Sequence, residues 1–183
     1  MKVLSLTEPC ATLIKEKKKF VETRSWKTDY RGELYIHASA TSIPKEWKED
    51  TEFMSLVDGV PLNFCNIICK CNLVDCVYMT KEYVDNMKNN NHQEYICGKY
   101  EEGRYAWILE NIIPLENPIK AKGQLNIWNF DGEYITWTTD GANAGTVFYR
   151  NGQFNCTNVC GTIKVGESFD AYFDAKASLI RTA

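Results

Sequence analysis

Strand-like segments run through this chain without the alternation of strand and helix that a parallel, doubly wound sheet requires. The segments are KVLSL (2–6), FVETRS (20–25), ELYIHA (33–38), the mostly apolar and bulge-prone run FCNIICKCNLVDCVYM (64–79), GRYAWILENII (103–113) and residues 119–130. Helical patterns are fewer. Glu8-Pro9 opens one that runs to about residue 18, because proline suits a first helical turn. Ile43, Trp47, Met54 and Val57 sit at helical spacing within 42–57, and Thr80 can cap a short helix bearing Tyr83, Val84 and Met87. Asn89-Asn90-Asn91 is expected to end that helix in an exposed loop. The pattern predicts an α+β protein built on a small, mainly antiparallel β-barrel with two or three flanking helices.

Composition shifts after Asp131, toward Thr, Gly, Asn and aromatics. Asp140-Gly141 and Asn151-Gly152 are hairpin signals between the strand-like flanks YITWTT, TVFYR and QFNCT. Residues 1–131 are therefore expected to form one domain, and 132–183 a β-rich C-terminal extension.

Charge is concentrated in one place. Residues 15–31 carry seven Lys/Arg against three Asp/Glu, a local +4, so a net charge of −3 leaves −7 for the rest of the chain. A protein that lies along a polyanion is usually basic overall. A small cationic site on an otherwise repelling body is the expectation here. No run of about 18 apolar residues exists, so no membrane span is expected. The N-terminus is interrupted by Thr7, Glu8 and Pro9 and does not read as a signal peptide. A cytoplasmic protein follows.

The eight cysteines contain no Cys-x-x-Cys pair, and only His37 and His92 could add imidazole ligands. That is a poor pattern for structural zinc, and no metal or other cofactor is expected. Cys69 and Cys71, two apart on a strand, share a face and read as buried thiols. Cys156 and Cys160 are the pair that stands apart.

Several stretches, taken in order, carry a family resemblance: LSLTEPCATLI, Lys19-x-x-Glu22-x-Arg24, YRGELYIHAS, LVDCVYMT, GRYAWILEN, LENPIKAKG and WNF. Over residues 1–130 the chain resembles the ASCH family, whose fold is related to the PUA RNA-binding domain. The family pattern places a glycine where Lys17 stands. The resemblance implies a PUA-like barrel with a cleft beside the first helix and the next strand, lined by the motif residues. It implies RNA binding, deacylation of acylated cytidine nucleosides, or ribonuclease activity. It does not extend beyond Phe130.

The residues suit such a cleft. Glu22 and Arg24 lie two apart on a strand and point the same way. Arg24 offers a planar fork for a phosphate or base edge, and Glu22 an acceptor for an exocyclic amine. Lys19 is suited to a phosphate, or to general-base work if desolvation lowers its pKa. Trp26 and Tyr30 offer stacking faces, and Arg31 a further cation. Lys19, Glu22, Arg24, Trp26, Tyr30 and Arg31 are thus the candidate ligand-binding set, with Lys19 and Glu22 catalytic if the protein is an enzyme. The hydroxyl nucleophile of the hydrolytic ASCH proteins falls at Glu22, and alternation turns Thr23 to the opposite face. RNA or a small nucleotide or nucleoside is the expected partner. Trp107 reads as core and His37 as structural, while Arg104 and Trp128 are further candidates near the cleft.

Overall fold

The computed structural model describes residues 1–130, 133–138, 146–151 and 160–164. Two compact units divide the chain, one of Lys2–Trp128 and one of Asn129–Ala183 with Met1.

The larger unit is a mixed six-stranded sheet curled into a half-barrel. Its strands are β1 (Lys2–Leu6), β2 (Val21–Arg24), β3 (Gly32–Ala38), β4 (Asn66–Tyr78), β5 (Tyr105–Lys120) and β6 (Ile127–Asn129), in the order β2-β5-β4-β3-β1-β6. The expected antiparallel pairing is found for β2/β5, β3/β4 and β4/β5, but β1 runs parallel to β3. The sheet is open, with β2 and β6 as its ends, where a barrel was expected. Register shifts near Ile36, Cys69, Asn72 and Asp75 add local twist, and a bulged strand bends. The curl brings Arg24 at the β2 edge to the β1 backbone, where Nη2 donates a long hydrogen bond to the Ser5 carbonyl (3.5 Å). The sequence pattern separates a strand at 103–113 from one at 119–130. The structure instead continues β5 through Lys120 and confines β6 to three residues.

Five helical segments lie among the described residues, more than the two or three expected: α1 (Cys10–Lys15), α2 (Lys45–Glu49), α3 (Thr51–Ser55), α4 (Lys81–Asn90) and α5 (His92–Ile96). α1 is far shorter than an isolated helix needs. Packing holds it instead. Ala11 and Ile14 join the main core with Leu4, Leu34, Ile36, Cys71, Leu73 and Trp107. Cys10 and Leu13 pack on Phe53, Val57 and Cys97. A third cluster, Val21, Met79, Tyr100 and Ala106, seats Tyr83, Val84 and Met87 of α4 and Tyr95 of α5. The expected loop at 89–91 is instead a junction between helices. Asn91 ends α4, and its side chain accepts the Glu94 N–H to start α5 (3.3 Å).

α1 ends in a Schellman turn. Lys17 N–H bonds the Ile14 carbonyl (2.9 Å) and Lys18 N–H the Leu13 carbonyl (2.9 Å), with Lys17 at φ +56°. The family's glycine position therefore keeps its left-handed backbone although lysine occupies it.

In the second unit, β7 (Glu133–Thr138), β8 (Val147–Asn151) and β9 (Cys160–Lys164) form an antiparallel sheet ordered β8-β7-β9. The predicted turn at Asp140-Gly141, Gly152, the QFNCT segment and Cys156 lie outside the described residues.

Candidate functional site

β2 sorts its side chains as alternation requires. In the β2/β5 register Glu22 faces Trp107 and Arg24 faces Tyr105. Thr23 points the other way. Its hydroxyl accepts the Lys99 N–H (2.9 Å), and its carbonyl accepts from Arg104 Nη2 (3.3 Å). Arg104 also donates to the Lys99 carbonyl (3.2 Å), so it braces the outer side of β2 and stands apart from the Glu22 face.

Lys19 is 1% exposed. Its ammonium donates to the carbonyls of Val21 (2.5 Å) and Cys97 (2.8 Å) and lies 3.5 Å from Glu22 Oε2. Burial alone would lower its pKa, but the nearby Glu22 carboxylate and further acidic groups outweigh burial and hold it above the ordinary value. That direction is the opposite of the lowered pKa a general base would need, and both carbonyls anchor the side chain.

The residue that completes this nest was missed in the sequence. Glu94, 3% exposed on α5, accepts the backbone N–H groups of Phe20 (2.7 Å) and Val21 (3.1 Å) and the Tyr100 hydroxyl (3.3 Å). Burial raises its pKa despite the opposing pull of Lys19 and these hydrogen bonds. A signal was present: Asn91 and Glu94 stand at the spacing of a capping box. The neighbouring thiols Cys10 and Cys97 are pushed up to about 12 and about 11, foremost by burial, and are not thiolates near neutral pH.

Glu22 bridges to the more open part of the site. Its Oε1 lies 3.1 Å from Arg24 Nε, an ion pair whose N–H is not aligned on the oxygen, so that Nε makes no hydrogen bond. The Arg24 guanidinium sits over the Trp107 ring at 5.9 Å, and its side chain is 26% exposed. Trp107 is fully buried, yet its indole N–H has no acceptor among the described residues. Half-buried Trp26 meets it edge to face, with centroids 4.7 Å apart. Lys19, Glu22 and Arg24 thus converge, and Trp26 stands beside them.

The other candidates are engaged elsewhere. Tyr30 packs on the main core and donates to the Glu33 carbonyl (2.5 Å). Arg31 donates to the Thr28 (3.0 Å) and Tyr30 (2.8 Å) carbonyls and pairs with Asp75 (3.2 Å). His37 is a structural histidine: Nε2 donates to the Ala121 carbonyl (3.1 Å), leaving Nδ1 to accept from Ser5 (3.1 Å). Ser5 in turn accepts from Trp128 Nε1 (3.0 Å), so Trp128 is tied to β1. Cys69 and Cys71 are both buried, as their spacing predicts.

The chain belongs to the ASCH domain family, matched over residues 4–119, and over residues 79–177 it matches the type I restriction modification DNA specificity domain family. The second match covers most of the C-terminal residues that resembled no family in the sequence reading. Similar proteins come from Mycoplasma pneumoniae. One is a putative type I specificity subunit N-terminus, 67% identical over 43 residues (24% of this chain, 23% of that one). Another putative type I specificity subunit is 40% identical over 105 residues (57% and 24%). The MpnII type I restriction enzyme specificity subunit is 48% identical over 68 residues (33% and 20%). The matched parts span about a quarter of these relatives' length or less.

Proposed function

We propose that this ASCH-family chain recognises nucleic acid, holding one unpaired or extruded base at the Glu22–Arg24 pair, and that it serves DNA specificity through its C-terminal residues. The observation that carries the pocket assignment is the convergence of Glu22 with the quarter-exposed Arg24 guanidinium, which sits over the Trp107 ring. A base edge presenting an amine beside an acceptor fits this pair: Glu22 accepts from the amine and Arg24 donates. DNA is favoured over the RNA of the family resemblance, because the family matched over 79–177 is described by its DNA specificity. In this reading the base pocket lies within 1–131, and 132–183 carries the specificity-subunit role.

Binding is favoured over hydrolysis by the state of Lys19, whose ammonium is buried, anchored by two carbonyls and harder to deprotonate than usual. The test is a titration of single-stranded DNA, duplex DNA and single-stranded RNA with wild type and Arg24→Ala. Loss of a base-reading arginine should weaken binding about tenfold to a hundredfold. An Arg24→Ala protein that binds as tightly as wild type overturns the pocket assignment. Acetate released from acetylated cytidine by wild type, and absent with Lys19→Ala, would favour hydrolysis instead.

A further inference from the structure

The Glu22–Arg24 face continues across the sheet. Arg24 faces Tyr105 on β5, and Tyr105 faces Tyr78 on β4, so one row crosses three strands. One step inward along β2 the next row is Glu22, Trp107, Cys76. Tyr105 packs on the same core cluster as Trp26, while Tyr78 is 51% exposed. The two tyrosine rings meet edge to face at 5.6 Å. A single exposed aromatic is ordinary. Two in register beside a quarter-exposed guanidinium make a surface whose chemistry matches a base and its phosphate. The backbone under it is pinned, because Met79 N–H donates to the Arg104 carbonyl (2.8 Å) and Gly103 N–H to the Met79 carbonyl (3.0 Å). Gly103, at φ +87°, allows that tight turn next to Tyr78.

We infer that Tyr105 and Tyr78 form a stacking subsite for the nucleotide next to the one held at Glu22–Arg24. The ligand is then a single-stranded or locally opened stretch of at least two nucleotides. This rests on the pocket reading above. Two strand spacings separate Arg24 from Tyr78, about 10 Å, which leaves room for a neighbouring base beyond the one at Arg24.

The test is calorimetric titration of mononucleotides and of two- to six-nucleotide single strands, in matched DNA and RNA forms. Wild type should bind the strands about tenfold or more tighter than the mononucleotides. Tyr78→Ala should lose about tenfold on the strands, keep its mononucleotide affinity, and unfold at nearly the wild-type temperature. Tyr78→Phe, which retains the ring, should bind like wild type, and Tyr78→Leu, which retains apolar bulk without it, like Tyr78→Ala. Preference between the DNA and RNA arms identifies the polymer. If Tyr78→Ala and Tyr78→Leu leave strand affinity unchanged while Arg24→Ala lowers it, the subsite is overturned and the pocket reading stands. If wild type binds neither mononucleotides nor strands, both are overturned.

Discussion

The two ends of the Lys19-x-x-Glu22-x-Arg24 motif sit in opposite surroundings. At the Lys19 end, the ammonium meets two carbonyls and a carboxylate, and Glu94 meets two backbone N–H groups and a phenol. Donors and acceptors there answer one another, and water is excluded. At the Arg24 end, the guanidinium is a quarter exposed, its Nε is paired without alignment, and a buried indole N–H nearby has no acceptor among the described residues. A closed polar network holds a backbone in place, whereas an incomplete one leaves hydrogen-bonding capacity for something else. Within six residues, the same kind of charged side chain is scaffold at one end and available for recognition at the other, with Glu22 joining the two.

Lys19→Ala should test that contrast most severely. It removes the cation from a buried pair and orphans two carbonyls, so a loss of about 3–5 kcal/mol in urea unfolding is expected. A loss below about 1 kcal/mol would break the claim that this end is structural. Lys17→Gly should raise stability by about 1 kcal/mol, since it relieves a left-handed lysine in a turn that otherwise stays the same. No gain would mean that the lysine side chain compensates. Arg24→Ala should cost about 1 kcal/mol or less, because a partly exposed pair is screened by solvent. A cost near that of Lys19→Ala would erase the distinction between the two ends.

The smallest expected effect concerns His37, away from both ends. Burial holds its pKa below the ordinary 6.5 despite the Ala121 hydrogen bond. The unfolded chain therefore binds a proton more readily than the folded one. Stability from this residue is present above about pH 6.5 and is lost as pH falls through the folded-state value. In His37→Gln, that part of the slope in unfolding free energy against pH should disappear. An unchanged slope would place the titration elsewhere.

Much of the sheet was legible. The alternation of Phe20–Ser25 placed Glu22 and Arg24 on one face and Thr23 on the other, and the buried Cys69/Cys71 pair followed from a spacing of two. α5 was not foreseen, because five residues carry too little periodicity to register, and Glu94 was lost with it. The gap left between the strand-like segments 103–113 and 119–130 contains Pro114 and Pro118. β4 pairs on either side of that stretch, Cys69 with Pro114 and Ile67 with Ile119, with the register shifting between them, so one strand spans it.

Local chemistry, carried in the order of residues, determined which segments are strands and which side chains share a face of β2. Only the tertiary structure decided that β1 runs parallel to β3, that the sheet stays open, and that Lys19 is sealed while Arg24 is not. Strand partners, burial and the completeness of a hydrogen-bond network depend on groups far apart in the chain. Lys19 needs Cys97, and Phe20 needs Glu94, and no local pattern encodes those distances.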